Sequence, residues 1–528
     1  MAHNPKSKMA IDRYNTLKVE RQTWESHWQE VADYCLPRKA DITKSRSKGD
    51  KRTEFIYDGT ATHALELLAA SLHGMLTNTV SPWFYLKYKN DELNKEDEAV
   101  EWLENCTQVM NQAFNRSNFQ QEIFELYHDL IAFGTASLFI SEDKENDLRF
   151  KNLHISEVYI TENEKGFVDS LTRHFKMQAK NLPNQFPDAV LPQELVKKIE
   201  KNPYDRVNII HCIHANPDYS ENKKFVSHYV HEDSGTLLSE GFFADFPFAV
   251  PRYLKSSNEI YGRSPAMNAL ADIKMLNLMS KTSIKAAQKQ IDPPLMVPDD
   301  GFLMPIRTVP GGLNYYRSGT RDRIEPMNIG ANTPIGLNME EQRRDAIRQN
   351  FFVDQLMTNQ GTTMTATEVI QRNEEKMRIL GPVLGRLQSE LLQPLITRSF
   401  NILSKNKKFL PIPEMLGETD IEIEYVSPLA KAQKTGDLQA LMRGIEIFGS
   451  LQQVSPVMDY LDTDNLVQYI KEVLGIPAKI LKSRDQVALQ RQDQEAQQMQ
   501  QMQIQQEMQQ AEIANKAAPM AKVLNESN

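Results

Sequence analysis

Cysteine is nearly absent: Cys35, Cys106 and Cys212 are the only three in 528 residues. They are odd in number and far apart, which excludes a cystine-stapled secreted scaffold. Long apolar runs are missing too. No stretch approaches the ~18 uninterrupted apolar residues of a membrane span. The most apolar segment, Leu65–Leu76, is interrupted by Glu66, Ser71 and His73 and reads as a buried helix. The first residues carry lysines but no apolar core after them, so they do not form a signal peptide. Positive charge is not in excess: 61 Lys and Arg face 70 Asp and Glu, a formal net charge of −9. Such a chain does not coat nucleic acid through its net charge.

Catalytic signatures are lacking as well. The dipeptide Gly-Lys does not occur, so no Walker-type phosphate loop exists to drive a motor. There is no Gly-x-Ser-x-Gly elbow and no His-Glu-x-x-His zinc helix. Gly311-Gly312 lacks the further Gly and helix of a dinucleotide fingerprint. His211 and His214 sit three apart on a predicted strand, where a period of two sends them to opposite faces and argues against a metal site. The acidic pairs Asp299-Asp300 and Glu340-Glu341 diverge and read as solvated faces rather than nuclease ligands. No metal and no cofactor is expected.

What is present is an ordinary folded composition, 40% hydrophobic and 25% charged, with room for several domains. Helical spacing predicts helices over Ile11–Cys35, ending before Pro37, then Asp58–Thr79, Glu96–Asn115 and Asn118–Phe133, the last closed by Gly134. The period then changes. Thr135–Ile140, Leu153–Ile160, Val168–Met177, Val207–Ala215, Phe225–His231 and Thr236–Phe243 alternate and read as strands, with a helix at Pro192–Lys201 between them. Pro265 opens a long helix to about Gln290. Residues 291–338 are rich in Pro and Gly and form a strand-and-turn module. Asn338 is expected to cap a helix from Met339 to Phe352. A long helical pattern from Thr365 to Ser404 carries Gly381-Pro382 inside it, where a bend is expected. A strand, Ile421–Val426, and further helices, Leu429–Gly449 and Asp464–Leu474, follow. Thirteen Gln between residues 486 and 510 mark a last segment that is either a polar helix or disordered. The fold class is α+β, mainly helical.

One spacing stands out. Lys274, Lys281, Lys285 and Lys289 fall within a sector of about 80° on the Pro265–Gln290 helix. The bland reading is a solvated face; the sharper one is a ring of ammonium groups facing a polyanion once several copies assemble. Arg307, Arg317, Arg321 and Arg323 lie in the 291–338 module, and guanidinium forks suit carboxylates and phosphates. Asp354, Gln355, Thr358, Asn359 and Gln360 lie in a polar loop between two helices.

The order of these parts resembles the portal, or head-to-tail connector, family of tailed bacteriophages, most closely that of short-tailed, T7-like phages. The residues that carry the resemblance are Leu72-His73-Gly74-Met75-Leu76-Thr77 with Trp83-Phe84, Tyr261-Gly262-Arg263-Ser264-Pro265-Ala266, and Thr365-Ala366-Thr367-Glu368-Val369 with Leu380-Gly381-Pro382 and Arg386 to Leu395. The resemblance covers roughly residues 10–480. It implies a ring, usually of twelve subunits, around a channel for double-stranded DNA. It assigns residues 1–260 to a wing, 261–290 to a first stem helix and 291–338 to a clip. It assigns 339–352 to a second stem helix, 353–364 to a tunnel loop and 365–427 to the kinked helix and wing completion. Residues 428–482 become a crown and 483–528 a C-terminal tail. Lys281 and Lys285 are expected to face the channel, and the clip arginines to meet partners. The implied partners are a terminase motor and then a tail adaptor at the clip, the major capsid protein, and scaffolding or internal core proteins, with no membrane. The implied location is the head–tail vertex of the virion, after assembly in the host cytoplasm. A portal hydrolyses nothing itself, in keeping with the missing phosphate loop. The competing readings are a packaging enzyme, such as a motor or nuclease subunit, and a scaffolding protein without a channel.

Overall fold

Turn residues and the switch of hydrophobic period set the element boundaries in a computed structural model of the chain. It describes residues 4–47, 49–78, 83–88, 93, 96–218, 223–297, 306–309, 313–315, 324–327, 333–356, 379–413, 423–426, 428–451, 462, 465–467, 469–470, 486–487, 489–494, 496–504 and 508. α1 (Pro5–Cys35) starts at Asn4, whose side chain accepts from Lys6 N at 3.1 Å, and stops where Pro37 follows. α2 (Thr60–Leu76) starts where Asp58 accepts from Thr60 N at 2.9 Å. Then come β1 (Tyr85–Tyr88), α3 (Asp97–Arg116) and α4 (Phe119–Phe133). Gly134 closes α4 at φ +73, the left-handed cap that only glycine adopts freely.

The strand region is β2 (Ser137–Asp143), β3 (Asp147–Leu153), β4 (Val158–Glu162), β5 (Val168–Gln178), the short α5 (Leu182–Gln185), α6 (Gln193–Lys201), β6 (Arg206–Ala215), β7 (Phe225–His231), β8 (Thr236–Phe243) and β9 (Phe248–Ala249). The remainder is α7 (Pro265–Ile291), β10 (Leu295–Met296), β11 (Glu325–Pro326), α8 (Thr333–Asn350), the one-turn α9 (Val353–Leu356), α10 (379–387), α11 (Gln393–Lys405), β12 (Ile423–Val426) and α12 (Pro428–Leu451). The chain is thus mixed α and β and mainly helical.

Several expectations change, beginning with α1, which starts at Pro5 rather than Ile11. Asn338 is not a cap: α8 begins at Thr333, five residues earlier, and Pro334 occupies its first turn, where the missing donor costs nothing. The single strand expected over Leu153–Ile160 is two. β3 ends at Leu153, a one-turn helix at Ile155–Glu157 intervenes, and β4 begins at Val158.

The chain divides into two units, residues 1–83 with 110–408, and residues 84–109 with 409–528. In the first, an antiparallel sheet runs β4-β5-β6-β7-β8 and a second runs β3-β2-β9. α1 crosses the larger sheet, setting Tyr14 and Leu17 on Tyr159 and Ile210. Its middle is fixed by the buried Arg21, which donates to the carbonyls of Ile155 (2.8 Å), Val158 (2.5 Å) and Ser156 (2.9 Å) and lies over the Tyr159 ring. In the second unit β1 pairs with β12, and Trp102 Nε1 donates to Leu410 O at 3.0 Å. The described residues between 486 and 504 are helical and, Val487 apart, exposed, which selects the polar helix for that part of the Gln-rich segment.

The larger sheet is also expected to make the fold acid-sensitive. His211 on β6 is stacked on Tyr229 at 3.8 Å and bonded to Ser227 Oγ at 2.9 Å, and burial drives its pKa down to about 3. The unfolded chain takes up that proton near pH 6.5, so the stabilisation is present above about 6.5 and lost as pH falls toward about 3. The unfolding midpoint is expected to drop across this window by less in His211→Gln than in the unaltered chain, as thermal melts at a series of pH values would show. Equal pH slopes would rule out His211 as a contributor.

Candidate channel helices and their anchoring junction

α7 and α8 lie against each other and run antiparallel, with Asp272 near the start of α7 paired to Arg343 in the second half of α8 at 2.8 Å. A two-residue ladder joins the far ends: Leu295 pairs with Pro326 and Met296 with Glu325. The near half of the pair is apolar. Ala266, Ala269, Leu270, Ile273 and Leu276 of α7 are buried, as are Ile347 and the following Phe351. Beyond Leu276 the contact turns polar. Ser283 Oγ donates to the buried Glu340 at 2.5 Å. Arg344 joins Glu340 (3.1 Å), Glu341 (3.1 Å) and Asp58 (3.0 Å). Glu340 is thus buried and Glu341 exposed, and both pair with Arg344.

The four lysines do not share one environment. Lys274 pairs with Glu30 of α1 at 3.2 Å. Lys281 Nζ lies 5.2 Å from the Tyr57 ring centroid. Between them Asn277 clamps the neighbouring loop, accepting from Tyr57 N and donating to Phe55 O, both at 2.7 Å. That side of α7 is turned onto the loop at Phe55 and Tyr57 and onto α1. Lys285 and Lys289 are exposed, with no partner among the described residues. Arg307 is exposed, and its backbone brackets Asn314 in a turn (2.6 and 2.8 Å). Arg317, Arg321 and Arg323 lie outside the described residues, as do Thr358, Asn359 and Gln360. Asp354 and Gln355 form part of α9 rather than a loop. Gly381 and Pro382 lie in α10, and the residues that would form the other arm of the expected bend lie outside those described.

α7 is rooted by the Tyr261–Pro265 segment. Ser264 caps the helix, accepting from Met267 N at 3.0 Å while donating to Ala132 O at 2.8 Å. Gly262 N donates to Thr135 Oγ1 at 2.8 Å, and Tyr253 N donates to Gly134 O at 2.9 Å. Tyr261 stands edge-on to Trp28, whose indole donates to Phe133 O at 3.1 Å, and Arg263 covers Trp24. The start of α7 is thus fastened to the end of α4 by backbone contact. Of the other resembling stretches, Leu72 and Leu76 are core, His73 Nδ1 meets Thr77 Oγ1 at 2.9 Å, and Trp83 stacks on Phe119.

A buried charge cluster, missed in the sequence, ties this root to α11. Between α10 and α11 the helix opens into one wide π-type turn, Gln388–Leu392, in which Gln393 N reaches back to Gln388 O. Pro394 follows; it has no N–H for the carbonyl of Glu390 and its ring would clash there, so the helix widens just before it. Glu390 in that turn accepts from Arg252 Nε (3.0 Å), Nη2 (2.6 Å) and backbone N (2.9 Å). Arg252 is fully buried and also reaches Glu162 and Gly166 O. No local pattern pairs two residues 138 positions apart.

His211 and His214 project to opposite faces of β6, since Cys212 between them pairs with His228 and the faces alternate. Among the described residues no three His, Cys, Asp or Glu side chains are placed to hold a metal ion, and no helix is long and apolar enough to cross a membrane.

Comparison with known proteins adds what geometry alone does not. A "Probable portal protein" of Bordetella phage BPP-1 is 32% identical over 99% of this chain and 96% of its own length. The "Portal protein" of Salmonella phage epsilon15 is 30% identical over 100% and 96%. The "Portal protein" of Enterobacteria phage T3 is 21% identical over 83% and 81%. The family model described as "Bacteriophage head to tail connecting protein" matches residues 7–481, and the chain belongs to that family.

Proposed function

We propose that the chain is a portal subunit: it forms the ring at one capsid vertex through which double-stranded DNA enters and later leaves the head. It is a structural component rather than an enzyme. The observation that carries this reading is near full-length similarity, at 30% and 32% identity, to two phage proteins named as portals, within the connector family. The antiparallel α7–α8 pair, joined at its far end by β10 and β11, supports assigning the pair to the stem and residues 291–332 to the clip, shortened by the early start of α8.

The ring closes by a heterologous interface. With about twelve copies, the −9 of each subunit sums to the order of −10². An assembly so acidic holds DNA by enclosing it; a wall that neutralised many phosphates would bind tightly and resist sliding. Of the four stem lysines, Lys285 and Lys289 suit a DNA-facing role because they are exposed, while Lys274 and Lys281 engage Glu30 and Tyr57. The packaging motor, then a tail adaptor, would dock on the clip, the wing would meet the capsid shell, and residues 428–482 would face the interior as the crown.

Negative-stain images of the purified chain test the main claim: rings with a central hole are expected, and filaments or compact dimers would overturn it. Lys285→Ala/Lys289→Ala should leave rings intact while changing the yield of packaged DNA in a packaging assay. Loss of rings with normal packaging per ring would move both lysines into a subunit interface.

A further inference from the structure

The face of the larger sheet beneath the first two turns of α1 carries titratable groups that neither the stem nor its junction uses. His228 on β7 and His214 on β6 project from the same face, since Cys212 is the cross-strand partner of His228 and lies two residues from His214. Their rings are 5.7 Å apart. His228 is only 3% exposed, and neither of its nitrogens makes a hydrogen bond among the described residues. Its Nε2 stands 3.5 Å from Glu240 Oε1, at the limit of useful reach. His214 Nδ1 donates to Ala215 O (2.9 Å), and its buried Nε2 has no partner among the described residues.

The groups around this pair are mostly cationic. From α1, Lys6 clamps both oxygens of Glu240 (2.7 and 2.8 Å), and Arg13 reaches Thr161 Oγ1 at 3.0 Å and acts on His214 by its charge. From β8, Glu240 is the one carboxylate His228 meets, and it is already committed to Lys6. From β6, the Cys212 thiol is held neutral by burial and takes the Thr172 hydroxyl of β5 at 3.5 Å. Asp169 of β5 faces the charge of Arg13, and further along β5 His174 is paired with Glu232 at 2.9 Å. Two new imidazolium charges would meet Lys6 and Arg13, while Glu240, the carboxylate nearest His228 among the described residues, is already paired with Lys6.

The part of α1 lying over them is held lightly. Between residues 5 and 10 only Ser7 and Ala10 are buried, both small, and Ser7 Oγ lacks a partner among the described residues. From Tyr14 onward the helix is locked by aromatic stacking and by Arg21. We propose that the first two turns of α1 form an acid-released latch on this sheet face, seated while His214 and His228 are neutral and lifted when they take protons. Lifting lets water reach the imidazolium groups without disturbing the rest of the helix, a local opening rather than global unfolding.

Amide hydrogen exchange on the full chain at about pH 7.5 and about pH 5, corrected for intrinsic rates, tests it. Amides of residues 8–14 should lose protection at least about tenfold at the lower pH, while those of α4 keep theirs. His214→Gln/His228→Gln, which cannot take the protons, should abolish the difference. Equal protection at both pH values, or a loss that the double variant retains, overturns the latch. Should the double variant fail to fold, His214→Gln alone decides, because that side chain is the less buried: its opening should shift to lower pH, and an unchanged midpoint overturns the proposal.

Discussion

Gly134→Ala is expected to abolish stable folding of the first unit, and Gly262→Ala to come close to it. A Cβ on Gly134 would stand 2.3 Å from the carbonyl oxygen of Gly262, and a Cβ on Gly262 would stand 2.2 Å from that of Gly134. Each glycine is the other's wall. The obstructing atoms are backbone, and three hydrogen bonds pin that backbone: Tyr253 N to Gly134 O, Gly262 N to Thr135 Oγ1, and Ser264 Oγ to Ala132 O. No side chain can swing aside. Gly134 adds a φ of +73, which costs any residue with a Cβ about 1–2 kcal/mol. The combined loss should exceed about 4 kcal/mol, the range reserved for named steric faults. Soluble yield and the thermal midpoint of the purified chain measure it, read as a shift rather than a free energy because a chain of two units need not unfold in one step. Gly381→Ala is the control. It lies in α10 with open space where its Cβ would go, so it should gain roughly 0.5–1 kcal/mol from helix propensity. A Gly134→Ala chain that melts within a few degrees of the unaltered one would mean that α4 and the root of α7 do not approach as described.

The same junction shows what a sequence makes legible. Signals that act within one turn were readable. Pro37 ends α1, Gly134 ends α4, and Ser264-Pro265 opens α7, because caps and prolines act through the backbone groups next to them. β5 to β8 were readable because they are short, β-branched runs bounded by turn residues, although β6 is buried on both faces from Ile209 to Ile213 rather than alternating. Other boundaries were misplaced for equally local reasons. Asn338 drew attention as a cap although Thr333-Pro334 carried the true start signal. β3 begins at Asp147 in a left-handed turn at φ +66, without the glycine that normally announces one, so its alternating Leu148 and Phe150 went unused. The lysine sector of α7 was correct as helical geometry. Its environment was not legible, because Glu30 and Tyr57 come from residues more than 200 positions away. Among the resembling residues, Gly262, Ser264 and Glu390 hold elements together and Leu72 and Leu76 are core, while Thr365 to Val369 lie outside the described residues. The distance from Arg252 to Glu390 along the chain left no trace in any window.

Arg252→Met should cost about 3–5 kcal/mol, because it strands Glu390 and Glu162 in a buried site that Arg252 alone joins. Among the described residues Glu390 would keep only Arg386 at 3.1 Å, and Glu162 only Lys255 at 2.6 Å. Arg252→Lys retains the charge but not the fork, which donates in separate directions to Glu390, Glu162, Gly166 O and Ile260 O, so it should recover only part of the loss. Glu390→Leu is expected to be costly by the converse route, leaving the guanidinium short of a carboxylate in a site with almost no water contact. The informative variant is the double one. In Arg252→Met/Glu390→Leu both partners become apolar at similar volume, and the loss should be smaller than the sum of the singles by at least about 1 kcal/mol. Urea unfolding followed at the first unit's transition measures all four variants, with little dependence on salt because the pair is buried. Simple additivity would show that the pair is not coupled. The wide turn at Gln388–Leu392 would then owe its shape to Pro394 alone, and not to the need to carry Glu390 onto Arg252 at the root of α7.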